Sequence, residues 1–489
     1  MKILFDHTYS RLPSHFFARV DPTPVREPSL LAFNEPLARF LGLDVAHWTS
    51  PEGIAALAGS KVPDGAHPIA LAYAGHQFGN FVPRLGDGRA ILLGEIVAQD
   101  GRRYDVQLKG AGPTPFSRGG DGRAALGPVL REYVVSEAMA AMGIPTTRAL
   151  AAVTTGEIVR RERELPGAVL TRVAASHLRV GTFQFFAAKG DQEALERLAE
   201  YALARHFPDA KRDPSAALAL LDSVVSAQAS LVARWLGVGF VHGVMNTDNT
   251  SISGETLDFG PCAFLDAYEP RRSFSSIDRG GRYAFANQPK IAQWNLARLA
   301  EALLPLIDED EERAVTAATT VLDRFGARFE EAHLRELRRK LGLERQEDGD
   351  LELARELLLA MAKNHADYTN AFRHLCDVGA GKSDDAFGAL FSRDGAAVEA
   401  WLARYRARLE REPASAAVRS VAMRSANPAF IPRNHRVEEM IAAATRGDLE
   451  PMRRLQRVLA SPYDDQPDAA DLAAPPGDEQ WDYVTFCGT

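Results

Sequence analysis

Residues 240–260 read FVHGVMNTDNTSISGETLDFG. An apolar run, Gly237–Val244, enters the polar loop MNTDNTS, and a strand-like segment, Ser251–Leu257, leaves it for Asp258-Phe259-Gly260. A DFG tripeptide alone says little, because tripeptides recur by chance. Here it follows an Asp248-Asn249 pair. Phosphoryl and nucleotidyl transfer both need oxygen ligands for a divalent cation, a base for the incoming hydroxyl and cations for phosphates. Mg²⁺ takes few protein oxygens and keeps its other positions for water and phosphate. Asp248, Asn249 and Asp258 are therefore a candidate metal-plus-base site; the competing reading is turn capping by Asx residues. His242, just upstream, is expected to be a satisfied structural histidine.

Upstream, Arg89–Ala98 and Arg103–Lys109 alternate as strands around a Gln99-Asp100-Gly101 turn, which predicts a hairpin ending on Lys109. A loop rich in Gly, Pro and Arg follows, and then Val129–Met142 has helical periodicity, stopped by Gly143 and Pro145. Glu132 on that helix could pair with Lys109, although a strand lysine and a helix glutamate are more often solvated. Two glycine-rich segments, Gly75–Gly79 and Leu85–Arg89, are turns or phosphate cradles; neither is GxGxxG. Asp121-Gly122 lies near a helix start, where an anion could sit. Residues 146–186 read as β-rich, with turns at Gly156 and Gly167, and contain Arg172 and Arg179. Arginine forks suit phosphates, and they also suit ion pairs.

Downstream the chain reads as helical. Asp191 is placed to cap a helix over 192–206, Pro214–Trp235 is a long apolar helix, and helices dominate from 290 to 460. The acidic, Pro/Ala-rich tail from Pro462 to Thr489 is expected to be extended against the surface or mobile. The order is thus β-rich with one helix, then helical, with the polar loop and DFG just past the junction. We read it as α+β, a protein-kinase-like two-lobed fold: residues 1–185 an N-terminal region and β-rich lobe, 186–461 a mainly helical lobe with extra helices, and 462–489 a tail carrying Cys487.

The chain has 489 residues, is 46% hydrophobic and has a net charge of -8, which argues against a nucleic-acid footprint. No continuous apolar run approaches the ~18 residues of a membrane span. The start, MKILFDHTYSRL, lacks the features of a leader, so a cytoplasmic location is expected. Cys262, Cys376 and Cys487 are too widely spaced for a zinc site or a disulfide framework, and Cys376 is expected in a core.

Four segments resemble the SelO family (YdiU in bacteria), pseudokinase-like protein adenylyltransferases: residues 71–95, 106–150, 240–266 and 427–441. The second and third, VQLKGAGPTPFSRGGDGRAALGPVLREYVVSEAMAAMGIPTTRAL and FVHGVMNTDNTSISGETLDFGPCAFLD, are long and specific. The resemblance implies a kinase-like fold that holds ATP flipped relative to true kinases. AMP then passes to Ser, Thr or Tyr hydroxyls of proteins, with ATP and Mg²⁺ (or Mn²⁺) required; the charge and apolar pattern separately lead to the expectation of no nucleic acid or membrane partner. By motif match, Asp248 is implied as base, Asn249 and Asp258 as metal ligands, and Lys109 as the phosphate-binding lysine, held by Glu132. Gly86, Gly88, Arg89, Asp121, Gly122, Arg172 and Arg179 match the remaining nucleotide-contacting positions, together with Asp258. The family places selenocysteine or cysteine near the C-terminus, as at Cys487. Some bacterial members pair it with a cysteine soon after the metal-binding segment. AYEPRRSFSSIDRGG after Asp266 has none, which leaves the partner of Cys487 open. A conventional protein kinase is the main alternative, but HRD, GxGxxG and VAIK are missing. A non-catalytic ATP-binding scaffold is the other, against the presence of base, metal ligands and lysine together.

Overall fold

The computed structural model describes residues 4–210, 215–393, 395–477 and 483–485. Cys487 lies outside them. The N-terminal half is built on an antiparallel sheet. Its strands run, edge to edge, Phe17–Arg19, Ile69–Leu71, Ala90–Val97, Arg103–Lys109, Glu164–Ala174, Arg148–Arg160 and Ser29–Phe33, with Ala124–Ala125 added alongside Gly167 and Ala168. The hairpin over 90–109 forms as its alternation predicts, and Gly101 takes φ 76° at the turn.

That alternation sorts the side chains of Arg103–Lys109 onto two faces. Val106 and Leu108 join Ile91, Leu93, Val153 and Val169 beneath the short helices Glu35–Phe40, Val45–Trp48 and Pro51–Leu57. Asp105, Gln107 and Lys109 point the other way. Arg172 lies directly across from Gln107 in the neighbouring strand, so both project from that same face. The helix Leu126–Ala141 packs over strands Arg148–Arg160 and Glu164–Ala174 and brings Glu132 to it.

Three local expectations are corrected. Val180–Ala187 (VGTFQFFA) is a helix, although Val, Thr and Phe favour strands; Phe183 and Phe186 turn into the core beside Phe16, Leu198 and Val224. Gly156 and Gly167 are not at turns: they face one another across a register irregularity, and Arg161–Arg163 turns the hairpin. A Cβ on Gly156 would lie 2.6 Å from the Cβ of Glu27, so chain approach is what a side chain there would block. Ser251–Leu257 makes only isolated bridges, from Ser251 to Arg179 and from Thr256 to Thr146 and Thr250.

The helical half centres on Ala216–Gly237, capped by Ser215 and packed against Gln192–His206, Gln288–Ile307 and Arg324–Leu341. Asp191 caps Gln192–His206 as expected, accepting from the Ala194 amide at 3.1 Å. By length and composition the Ala216–Gly237 helix could cross a membrane, against the expectation from continuous apolar runs; 67% of its most apolar window is buried inside the protein. Asp222, Gln228, Arg234 and three serines interrupt a strict apolar run, while the many Ala, Leu and Val residues keep the mean hydropathy high. A second helical cluster gathers Leu357, Met361, Tyr368, Phe372, Trp401 and Tyr405 around the buried Cys376. The helices Asn434–Thr445 and Glu450–Leu459 then return to the N-terminal half, where Val437, Met440 and Leu455 pack on Leu130 and Val134 of the Glu132 helix. In the tail, Pro467–Ala469 and Ala470–Ala473 are helical rather than extended.

Candidate active site

Lys109 ends its strand against two carboxylates. Its Nζ donates to Glu132 Oε2 at 2.6 Å and to Asp258 Oδ1. Arg172 Nη1 reaches the same pair, Glu132 Oε1 at 3.2 Å and Asp258 Oδ1 at 3.3 Å. Its other nitrogens donate to Gln107 Oε1, and Gln107 Nε2 donates in turn to Asp87 Oδ2 at 3.0 Å. Sequence reading put Lys109, Glu132, Arg172 and Asp258 in one site, and the structure brings all four together. Burial alone would raise the Asp258 carboxyl, but Lys109, Arg172 and Arg179 outweigh it and hold it well below the usual carboxylate range. Asp258 also adopts φ 68°, a left-handed conformation that aspartate tolerates better than most residues.

Asp248 sits on the short 3₁₀ turn Thr247–Asn249, 7% exposed. Arg179 joins it to the first cluster: Nη1 donates to the Asp248 carbonyl at 3.0 Å, Nη2 lies 3.9 Å from Asp87 Oδ1, and the guanidinium stacks 4.2 Å above the Tyr73 ring. Burial pushes Asp248 up to about 6, partly offset by hydrogen bonds and the field of Arg179. Its Oδ2 accepts from Gln77 Nε2 at 3.3 Å. Two buried atoms here have no hydrogen-bond partner among the described residues: Asp248 Oδ1 and Arg179 Nη2. An acceptor and a cationic donor, both unfilled, suit a ligand bearing a hydroxyl and phosphates.

Asn249 donates its amide to the Val244 carbonyl at 3.1 Å, which leaves its side-chain oxygen without a hydrogen bond among the described residues. Asp258 uses Oδ1 for Lys109 and Arg172, leaving Oδ2. Among the described residues no three His, Cys, Asp or Glu side chains form a closed metal cage. An amide oxygen and one carboxylate oxygen match a cation that draws its remaining ligands from phosphate and water.

The other predicted positions divide. Arg89 is half-buried, and its guanidinium makes no hydrogen bond or ion pair among the described residues. Gly86 takes φ 80°, and a Cβ there would meet the Phe116 ring at 2.3 Å; Gly88 would meet the Phe116 carbonyl at 3.0 Å. This turn is shaped by the loop folded onto it. A Cβ on Gly122 would lie 2.0 Å from the Gly112 carbonyl, where the loop closes on itself. Asp121 pairs with Arg161 at 2.9 and 3.0 Å on an exposed edge, outside the Lys109 cluster. His242 is fully buried and structural: its ring bonds to the Leu257 carbonyl at 2.9 Å and accepts from the Val244 amide. Asp87, Gln107 and Gln77 were missed. The available signals were weak: Gln77 and Asp87 lie within the two glycine-rich segments, and Gln107 shares the strand face of Lys109.

The chain's residues 1–460 match the family model described as "Protein adenylyltransferase SelO". Relatives called "Protein nucleotidyltransferase YdiU" are 60% identical in Bradyrhizobium sp. (strain ORS 278) and 62% in Methylorubrum extorquens, each over 99% of both chains. One from Rhizobium etli (strain CIAT 652) is 58% identical over 99% of this chain and 97% of its own. This chain belongs to the SelO family. It is an enzyme of the nucleotidyltransferase class.

Proposed function

We propose that the protein transfers AMP from ATP to Ser, Thr or Tyr hydroxyls of other proteins and releases pyrophosphate. The observation that carries this reading is the line of buried cations, Lys109, Arg172 and Arg179, between Asp258 and Asp248, with an unfilled donor on Arg179 and an unfilled acceptor on Asp248. Lys109, kept in place by Glu132, binds phosphate oxygens. Arg172 and Arg179 receive the γ-phosphate end in the interior, which turns the α-phosphorus toward Asp248. Asp248 Oδ1 takes the proton of the acceptor hydroxyl as its oxygen attacks, in line with the departing pyrophosphate. Asn249 and Asp258 would hold Mg²⁺ or Mn²⁺, which offsets charge on the leaving pyrophosphate when bound. Arg89, Gly86 and Gly88 border the nucleotide, and Asp121 and Gly122 close the loop beside it. The sheet half and the helical half then act as two lobes of a kinase-like fold, divided near residue 185, with ATP between them.

ATP labelled separately at the α- and γ-phosphorus tests the reading. Protein label from α alone is expected; label from γ alone overturns it. Asp258→Ala should abolish cation-dependent transfer, and Asp248→Ala should lose turnover while keeping ATP affinity.

A further inference from the structure

The Gly75–Val82 segment stands apart from the main sheet. Gly75–Gln77 and Asn80–Val82 pair as a small hairpin whose tip, Phe78 and Gly79, has φ 51° and 86°. Positive φ at both tip residues is the geometry of a tight two-residue turn. The hairpin is docked on the Asp248 loop at two points that flank Gln77. The His76 amide donates to Thr247 Oγ1 at 2.7 Å, and the Phe78 amide donates to Asn246 Oδ1 at 3.0 Å. Asn246 is held in turn by the Tyr283 hydroxyl at 2.6 Å. Thr247 donates to Gln184 Oε1 at 2.6 Å, and the Gln184 amide meets His76 Nδ1 at 2.8 Å, which closes a ring of bonds.

With residues 76 and 78 both pinned, the direction of the Gln77 side chain is set. It donates Nε2 to Asp248 Oδ2. Gly75 approaches the same carboxylate so closely that a Cβ would sit 2.4 Å from Oδ1 and 2.9 Å from Cγ. The hairpin therefore fixes the carboxylate through one oxygen: it bonds Oδ2, while Oδ1, buried beside a residue with no side chain, has no hydrogen-bond partner among the described residues.

We infer that Gln77 is a positioning residue for AMP transfer, fixing the Asp248 carboxylate so that its bare Oδ1 meets the acceptor hydroxyl, with the Gly75–Val82 hairpin as the acceptor-side wall. This rests on Asp248 being the base. A neutral amide suits that role, because it holds one oxygen without supplying a charge that would compete for the carboxylate. Phe81 on the hairpin is 42% exposed and lies beside His76, which in turn meets Trp294, so the wall presents an aromatic edge to a protein acceptor.

The test uses the full chain, α-labelled ATP, and β-casein together with the chain itself as acceptors. Gln77→Ala should lower kcat about 10- to 100-fold while leaving KM for ATP within about twofold. Gln77→Glu, nearly the same size but an acceptor where a donor is needed, should fall further. Gln77→Ala should cause no further loss when added to Asp248→Asn, because the two residues act as one unit. Wild-type kcat in both Gln77 variants overturns the inference, as does a fall in kcat matched by an equal rise in KM for ATP and loss of melting temperature. If Gln77→Ala does not fold, the near-isosteric Gln77→Glu carries the test. Full transfer by Asp248→Ala overturns the base assignment instead, whatever Gln77 does.

Discussion

Lys109 and Lys340 are both buried lysines, 9% and 2% exposed, in different halves of the chain. Lys109 faces two carboxylates, Glu132 and Asp258. Lys340 faces rings: its Nζ lies 4.1 Å from the centroid of Phe372 and 5.4 Å from that of Tyr368, with no ion pair among the described residues. A third buried cation, Arg433, resembles Lys109 in having carboxylates: it bonds Asp266 at 2.7 Å and Asp367 at 3.0 Å. Its side chain is 0% exposed, whereas the Asp258 side chain at the Lys109 centre is 27% exposed. Carboxylate partners therefore do not by themselves mark a site. The structural cluster is nearly closed to solvent, with Asp266 and Asp367 12% and 4% exposed, while the candidate site leaves Asp258 partly open; a buried guanidinium nitrogen without a hydrogen-bond partner among the described residues occurs in both, and the bare carboxylate oxygen of Asp248 sets the candidate site apart.

The largest expected effect comes from breaking the closed cluster. Arg433→Met leaves Asp266 and Asp367 facing one another in the interior. Breaking a buried pair from one side costs about 3–5 kcal/mol. Urea unfolding should show that loss, and ATP affinity should change only as far as the fold does. A stability change under about 1 kcal/mol would mean the cluster relaxes or admits water.

Glu132→Gln probes the open cluster. Lys109 and Arg172 keep Asp258, so stability should change little. Lys109 loses the charge that aims it, and AMP transfer should fall about 10- to 100-fold. Steady-state rates with α-labelled ATP and a melting curve measure the two effects. A variant that melts early yet keeps kcat would place Glu132 with Arg433 as a purely structural partner.

The difference between the two clusters explains what could be read in advance. The Lys109 strand, the Glu132 helix and the Asp258 tripeptide were legible because their signals are local: period two, period 3.6, and a polar loop. Val180–Ala187 was not, since its Val, Thr and Phe residues favour strands and only packing on Phe16 and Val224 makes it a helix. Gln107 looks like a solvent-facing strand residue, and Asp87 like part of a glycine-rich turn, until Arg172 and Arg179 are seen beside them. The 427–441 segment was recognisable as a motif, yet what it holds together was invisible. Asn434 bonds both backbone groups of Phe264, and Arg131 bonds Glu438; each partner is far away in the chain.

Lys340→Met should give the smallest effect, and of opposite sign. Burial lowers the Lys340 ammonium to about 7, far under its ordinary value of 10.5. A base with a depressed folded value contributes its full stability above the unfolded value, and loses it as pH falls through the folded one. The burden of Lys340 therefore grows as pH drops from about 10.5 to about 7, and levels off below. Methionine matches its length and needs no proton. The ring contacts of the cation, worth up to about 2 kcal/mol when desolvated, offset part of the penalty. A net gain on the order of 2 kcal/mol is expected at pH 6.5, shrinking toward zero at pH 10. Urea midpoints of both proteins at the two pH values measure it. Equal midpoints at both would show that the rings alone hold the charged ammonium, and that a buried cation here needs no carboxylate.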